Sequence, residues 1–241
     1  GNLVFSQYFG KQESNTRGLC AADLNGDGFI DVAVANRKSQ NFIYFNNGKG
    51  VFNKGLPFGS KEEATIKIAS GDMNGDNNID LILANRNGQE NRIYFGPSFK
   101  EFSVFGTGKD ETRGVVVIDM DSDKYLDIVV ANIGEKNVIY FGDADGLYKR
   151  KILFGRNKDR TMAVTVGDID NDHDLDIVVG NNGQKNHYYI NKNLKFSLNE
   201  FGNKESITYS LSLGDFNGDG LLDIVTANSA GENIIYYNSN N

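Results

Sequence analysis

The chain has 241 residues, of which 39% are hydrophobic, with 28 glycines, two prolines and a formal charge of −7 at neutral pH. This length suits one all-β repeat domain, and the glycine-rich, proline-poor composition favours short strands joined by tight turns. No apolar run is long enough to predict a membrane span, no signal peptide is visible at the start, and the single cysteine, Cys20, excludes an internal disulfide.

The first two predicted elements are a strand and an acidic loop. Residues 3–10, LVFSQYFG, read as a strand that ends in Phe-Gly and has no repeat before it. Residues 23–31, DLNGDGFID, place carboxylate and amide side chains at alternate positions with glycines between them. Because like charges at this spacing repel, the loop either holds a cation or is a solvated acidic turn.

The acidic loop recurs along the chain, and this repeat defines the organisation of the sequence. The five copies are DLNGDGFID (23–31), DMNGDNNID (72–80), DMDSDKYLD (119–127), DIDNDHDLD (168–176) and DFNGDGLLD (215–223). Of the 32 acidic residues, 18 lie in these loops, so the rest of the chain is basic. Five copies in register favour cation sites over solvated turns.

Each repeat predicts four strands. A short apolar run follows each loop, beginning with VAVA after the first, and its lack of alternation indicates a strand covered on both faces. An Asn, a turn and a second Asn then lead into an aromatic strand, which we read as a hairpin. A strand ending in Phe-Gly and a polar loop with a constant Thr complete the repeat.

Four-stranded units at this period predict an all-β, five-bladed β-propeller with antiparallel blades, forming a single domain over residues 1–241. The last repeat stops before its Phe-Gly strand, and residues 3–10 supply one. We therefore expect residues 3–10 to complete the fifth blade, close the ring and cover an exposed sheet edge.

The loops carry the oxygen ligands that calcium prefers, at alternate positions. The predicted ligands include the main-chain carbonyl of the seventh residue and are Asp23, Asn25, Asp27, Phe29 and Asp31; Asp72, Asn74, Asp76, Asn78 and Asp80; Asp119, Asp121, Asp123, Tyr125 and Asp127; Asp168, Asp170, Asp172, Asp174 and Asp176; Asp215, Asn217, Asp219, Leu221 and Asp223. An EF-hand is excluded, because position twelve is Val34, Leu83, Val130, Val179 or Thr226 where an EF-hand has Glu. We expect up to five calcium ions, with strain in the third loop, where Ser122 and Lys124 replace glycines.

The loop pattern, the apolar strand after it and the Phe-Gly spacing resemble FG-GAP/VCBS-type repeats over essentially the whole chain. Such calcium-loop blades are also found in integrin α-subunit heads and in many secreted bacterial proteins. The chain departs from integrin heads in having five short repeats where those have seven longer ones. The resemblance implies a calcium-binding repeat propeller, and the calcium sites predict an extracellular, cell-surface or periplasmic location.

The opposite rim is predicted to carry polar loops that face a ligand. The candidate ligand-binding residues there are Asn36, Gln40, Asn41, Asn85, Gln89, Asn91, Asn132, Asn137, Asn181, Gln184, Asn186, Asn228, Asn233, Arg17 and Arg113. The amides either bind sugar hydroxyls or a polar chain, or hold their own turns. For the strand tyrosines we expect packing between blades, and for Cys20 a buried, inert thiol.

No catalytic set emerges, since the two histidines, His173 and His187, have no nucleophile at a suitable spacing. The sequence thus favours a noncatalytic, monomeric binding or adhesion module, a lectin-like domain whose first ligand class is a glycan and whose close alternative is a protein partner. A spacer domain of a larger surface protein and a polysaccharide lyase remain alternatives, because some propellers with related repeats are lyases. Nucleic-acid binding is not expected, because no basic stripe is present.

Overall fold

A computed structural model describes residues 7–10, 14–52 and 54–239. The chain divides into two compact units, residues 1–108 and 109–241. Within the described ranges all regular structure is β-strand, and no helix there is long and apolar enough to cross a membrane.

The first unit contains two four-stranded antiparallel sheets, each with its strands in chain order. Sheet 1 consists of β1 (Thr16–Ala22), β2 (Asp31–Asn36), β3 (Asn41–Tyr44) and β4 (Leu56–Phe58). Sheet 2 consists of β5 (Thr65–Gly71), β6 (Asp80–Asn85), β7 (Asn91–Tyr94) and β8 (Phe102–Phe105). These sheets confirm the four strands predicted for each repeat.

The second unit contains two further four-stranded sheets and one with three strands. Sheet 3 consists of β9 (Thr112–Ile118), β10 (Asp127–Asn132), β11 (Asn137–Tyr140) and β12 (Lys151–Phe154). Sheet 4 consists of β13 (Thr161–Gly167), β14 (Asp176–Asn181), β15 (Asn186–Lys192) and β16 (Lys195–Phe201). Sheet 5 consists of β17 (Ile207–Gly214), β18 (Asp223–Ser229) and β19 (Ile234–Tyr236).

The second strand of each sheet forms its core, as the unbroken apolar runs predict. Every residue of β6, β10 and β14 is buried. In the first unit Leu81 and Leu83 pack with Ala33 and Ala35 of sheet 1, and in the second unit Val129 of sheet 3 packs with Ile177 and Val179 of sheet 4. Burial on both faces fixes the register of these strands, because a one-residue slip would exchange the two packed faces.

The Phe-Gly motif ends the fourth strand and joins neighbouring sheets within a unit. Phe58 packs edge-on against Tyr94 at 5.6 Å, and Phe154 packs in the same way against Tyr189 at 5.1 Å. The glycine that follows each Phe has a positive φ, from 66° at Gly59 to 94° at Gly106, which a residue with a Cβ rarely adopts. This glycine turns the chain from the outer strand into the next repeat.

The predicted completion of sheet 5 by residues 3–10 falls partly on residues 3–6, which lie outside the described residues. Residues 7–10 are irregular, but Phe9 packs edge-on against Tyr44 at 5.4 Å. Phe9 therefore meets Tyr44 as Phe58 meets Tyr94, although no sheet is described before sheet 1.

Candidate metal centres

The first and fifth residues of each acidic loop fold its backbone. In the first loop Asp23 accepts hydrogen bonds from the backbone N–H groups of Gly26, Asp27 and Gly28 at 2.8–3.1 Å. Asp27 Oδ1 accepts from the N–H of Phe29 at 2.9 Å, and all five loops repeat this contact. The N–H donors, led by that of Gly28, hold the pKa of Asp23 below its usual value. The loop is thus shaped to keep carboxylates charged.

Positions four and six of every loop adopt the left-handed conformation. Gly26 and Gly28 have φ of 75° and 86°, whereas Ser122 and Lys124 in the third loop have φ of 61° and 79°. A residue with a Cβ costs on the order of 1 kcal/mol there, so the predicted strain in the third loop coincides with an unusual backbone.

The ninth residue of each loop is a buried Asp whose carboxylate joins two backbone segments, and we call it a bracket. The sequence did not reveal this role. Asp31 has no exposed surface, and it accepts from the N–H of Leu24 at 3.0 Å and from the N–H of Asn46 at 2.8 Å. The same pair of contacts, at 2.7–2.9 Å, recurs at the other four ninth positions, Asp80, Asp127, Asp176 and Asp223. Burial raises the pKa of Asp80 and of Asp127 to about 6. A nearby cation would favour their charged forms.

Two loops in the described part of the chain bring three carboxylates together tightly enough to hold a metal ion. Single oxygens from each of three residues lie within 4.8 Å of one another in the third and fourth loops, the sets being Asp119, Asp121 and Asp127, and Asp168, Asp170 and Asp176. Among the described residues, Asp121 Oδ1 is buried without a hydrogen-bond partner. An unpaired buried oxygen among carboxylates fits a cation site.

The other three loops carry Asn at the third position. Asn25 Nδ2 donates to Asp27 Oδ2 at 2.9 Å, and Asn74 and Asn217 repeat this contact at 3.1 and 2.9 Å. Each amide thus turns its nitrogen towards the fifth-position carboxylate. Ligation by these three Asn residues, and by the main-chain carbonyls at position seven, remains a prediction.

The paired Asn residues on the predicted ligand rim serve the fold. The N–H of Asn36 donates to Asn41 Oδ1 at 2.7 Å, and Asn36 Nδ2 donates to the carbonyl of Gln40 at 2.6 Å. The backbone contact recurs in the remaining four pairs, Asn85 with Asn91, Asn132 with Asn137, Asn181 with Asn186 and Asn228 with Asn233. All eight Asn residues of sheets 1–4 are buried. They hold their own turns, so the interpretation as ligand groups loses its support there.

The other predicted ligand residues are three glutamines, which hydrogen-bond the backbone, and two arginines at strand bulges. Gln89 Oε1 accepts from the N–H of Ala64 at 2.7 Å and Gln184 Oε1 from the N–H of Arg160 at 2.8 Å, while Gln40 Nε2 donates to the carbonyl of Phe58 at 2.6 Å. Gln89 and Gln184 thus hold the loops between sheets, and Gln40 holds the end of the fourth strand of its own sheet. Arg17 is exposed at the bulge of β1, and Arg113, at the bulge of β9, lies 3.8 Å from Glu111.

Buried acids in the polar loops were missed by the sequence reasoning. Glu63 accepts from Tyr94 Oη and from Arg92 Nη1, both at 2.6 Å, and it also receives Asn41 Nδ2 at 3.2 Å. In sheet 4, Asp159 lies 3.6 Å from His187 Nδ1 in the matching place. The sequence pattern that indicates these acids is an acidic residue two positions before the repeated Thr. It occurs in three of the five repeats, as Glu63, Asp110 and Asp159.

The tyrosine prediction agrees with the packing, because Tyr44, Tyr94 and Tyr189 are buried against Phe rings. Cys20 is partly buried, its Sγ lies 3.0 Å from Ser70 Oγ, and burial raises its pKa. A thiol with a raised pKa is a weak nucleophile, as expected of an inert residue.

Repeated antiparallel sheets with an acidic loop before each buried strand define a β-propeller type of repeat. The chain belongs to the FG-GAP-like repeat family, whose model matches residues 23–83, 72–130, 119–179 and 174–226. This confirms the resemblance seen in the sequence. No curated protein matches the chain by sequence.

Solved structures share the fold. Two are of BBS1N in complex with ARL6DN, soaked with lead (14% identity, TM-score 0.58, covering 94% of this chain and 80% of that chain) or mercury (13%, 0.64, 98% and 69%). A third is the β-propeller domain of Myceliophteria thermophila Cps50 (Swd1), at 8% identity and a TM-score of 0.63, covering 92% of this chain and 70% of that chain. At these identities the likeness shows the fold alone.

Proposed function

We propose that this chain is a calcium-stabilised, noncatalytic interaction module that binds another protein outside the cytoplasm. The observation that supports calcium binding is the convergence of three carboxylates in the third loop and in the fourth loop, with an unpaired buried oxygen on Asp121. Calcium accepts six to eight oxygens at flexible geometry, and the modest affinity of extracellular modules suits the calcium concentration there.

Calcium would act mainly on stability. A bound ion offsets the repulsion among loop carboxylates, and ion binding to the folded state raises the unfolding free energy by mass action. The test is thermal unfolding of the whole chain in chelator, in calcium and in magnesium. We expect calcium to raise the melting temperature more than magnesium does. An unchanged melting temperature after chelation overturns the proposal.

The number of calcium ions bound provides a second test, with a matched control. Titration calorimetry of the whole chain measures the number of calcium ions bound, which we expect to be two to five. The double variant Asp119→Asn, Asp121→Asn removes two carboxylates of one cluster and should lower that number by one. The same pair of changes at the half-buried Asp143 and the exposed Asp145, outside the loops, should leave it unchanged.

A protein partner fits the exposed side chains of the loops better than a glycan does. In the first unit Phe29 and Ile30 are exposed within the first loop, and in the second unit Tyr125 and Phe216 are exposed within the third and fifth loops. Aromatic side chains are enriched in the cores of protein interfaces. BBS1N, which shares the fold, is in complex with ARL6DN. Eight of the thirteen amides on which the glycan prediction depended are buried, which leaves it less support.

Photo-crosslinking tests the partner class. A crosslinking amino acid at position 30 should yield a calcium-dependent protein adduct in extracts that contain surface proteins, and one at Leu19, which is exposed in β1 of the same unit, should not. A chelator-sensitive signal on a glycan array without such an adduct overturns the protein assignment in favour of a lectin.

The noncatalytic part of the proposal draws support from the histidines. His187 and Tyr189 lie 3.3 Å apart beside Asp159, but both are buried, and sheet 2 has Arg92, Tyr94 and Glu63 in the same places. The recurrence indicates a structural bracket that substrate cannot reach. Ultraviolet absorbance from unsaturated sugar, after incubation with acidic polysaccharides, would contradict this and indicate a lyase.

Ring closure is part of the proposal. Within the second unit a cleft of about 560 Å³, lined by Tyr188, Phe201 and Tyr236 among others, lies between sheets 4 and 5. Between sheets 3 and 4 the corresponding space receives Leu194 and Phe196 from the outer hairpin of sheet 4. Leu3 precedes Phe9 by the spacing that separates Phe99 from Phe105 and Tyr148 from Phe154. Residues 3–10 therefore suit the missing fourth strand of a five-bladed ring.

A further inference from the structure

The third acidic loop differs from the others in its hydrogen bonding. It has Asp121 where the first, second and fifth loops have Asn, so it lacks the amide that donates to the fifth-position carboxylate in those loops. A donor from outside the loop binds the third-position carboxylate instead, because Arg150 Nη2 donates to Asp121 Oδ2. The same nitrogen lies 3.9 Å from Asp123 Oδ2.

Arg150 is held in place by its own contacts. Its guanidinium carbon lies 3.9 Å above the centre of the buried Phe141 ring, and its carbonyl accepts from the N–H of Phe141 at 2.9 Å. In sheet 2 the matching backbone contact, from Phe95 to Glu101, is made by an acidic residue. The arginine therefore belongs to the third loop in particular and not to the repeat.

Arg150 gives the two carboxylate oxygens of Asp121 different roles. Asp121 is 12% exposed, its Oδ2 is engaged by Arg150, and its Oδ1 is buried without a hydrogen-bond partner. Asp119 and Asp127 each place an oxygen within 4.8 Å of an oxygen of Asp121. With Oδ2 occupied by the guanidinium, Oδ1 is the atom available to a metal ion.

We propose that Arg150 is the positioning residue of the third metal site, where it fixes Asp121 through Oδ2 so that Oδ1 points at the ion. This inference rests on the proposed calcium function and adds a residue that no loop pattern contains. Groups that orient metal ligands in this way typically change affinity 10–100-fold when they are removed. Arg150 also offsets the additional negative charge that Asp121 brings relative to Asn.

The alternative is that the guanidinium replaces the metal. Arg150 would then neutralise Asp121 and Asp123 directly, and removing it would strengthen metal binding at this loop because four carboxylates would lose a competing cation. The two roles predict affinity changes of opposite sign, so one titration separates them.

Site-specific affinity can be read from terbium luminescence sensitised by Tyr125, which lies at position seven of the third loop. The signal that Tyr125→Phe abolishes belongs to this site, and calcium displacement of terbium gives the calcium affinity. We expect Arg150→Met, which keeps an apolar stem over Phe141, to weaken binding about 10–100-fold, and Arg150→Lys to weaken it less. The exposed Arg156→Met, which lies in a polar loop, is the matched control and should bind as the unchanged chain does.

The outcomes separate this inference from the calcium proposal. Bound metal in the unchanged chain, with equal or tighter binding in Arg150→Met, overturns the positioning role alone. No luminescence in the unchanged chain, together with a melting temperature that ignores chelation, overturns the calcium proposal and this inference with it. Circular dichroism of each variant confirms that affinity is compared between folded proteins, and Arg150→Lys retains the test if Arg150→Met does not fold.

Discussion

The carboxylate of Asp31 holds the backbone N–H of Asn46, 15 residues further along the chain, at 2.8 Å. Its second oxygen holds the N–H of Leu24, at the beginning of the acidic loop. One buried side chain thus ties the loop to the far end of the hairpin formed by β2 and β3. A cation at the loop would be coupled through this carboxylate to the sheet behind it.

Asp31→Asn should destabilise the chain even without metal. The amide offers one acceptor oxygen, so one of the two buried N–H donors would face an NH₂ group and lose its partner, at a cost of about 1–3 kcal/mol. Urea unfolding in chelator measures this cost. Asp27→Asn is the matched control, because Asp27 also accepts two hydrogen bonds but is exposed. Equal losses of unfolding free energy in the two variants would contradict the bracket role.

Arg92→Met should cost about 3 kcal/mol of unfolding free energy, because it leaves the carboxylate of Glu63 buried without its positive partner. Glu63 is 4% exposed and lies 2.6 Å from Arg92 Nη1. Adding Glu63→Gln removes the stranded charge, so the double variant should recover most of the loss. A double variant that loses the sum of the two single costs would show that Arg92 and Glu63 act independently.

The repeated features could be predicted from the sequence because each occurs five times with a fixed spacing. The acidic loops, the buried second strands and the Phe-Gly turns belong to this class. The roles of the Asn pairs were harder to predict, because an amide that bonds its own turn and one that faces a ligand have the same pattern. Asn36 is resolved only by the contact with Asn41 and by its burial. Arg150 occurs once, so no repeat could point to it.

Acidification should lower the unfolding free energy, because His187 has a lower pKa in the folded chain than in the unfolded chain. Burial lowers the pKa of His187, against Asp159 and Glu200, which raise it, and with Arg156, which lowers it further. Tyr189 Oη is a further polar neighbour, 3.3 Å from His187 Nδ1. A depressed folded-state pKa contributes stability above the unfolded value, near 6.5, that is lost as pH falls through the folded-state pKa.

The comparison of two glutamine variants checks this assignment. His187→Gln should flatten the fall in unfolding free energy between about pH 6.5 and 5, because it removes the group that must take up a proton. His173→Gln should keep the slope of the unchanged chain, since His173 is 95% exposed. An equal slope in all three proteins would place the acid sensitivity elsewhere.

Deletion of residues 1–6 tests whether the N-terminal segment completes sheet 5. The edge strand β19 leaves Ile235 exposed, and the neighbouring cleft is lined by aromatic side chains. If Leu3 and Phe5 fill this region, each contributes about 1.5–3 kcal/mol, so their loss should lower the melting temperature by roughly 10 °C. Deletion of residues 240–241 is the control and should have little effect. A synthetic peptide of residues 1–8 should restore the melting temperature of the shortened chain, because strand pairing with β19 needs no covalent link. If the shortened chain has the same melting temperature as the unchanged chain, residues 1–6 do not close the ring.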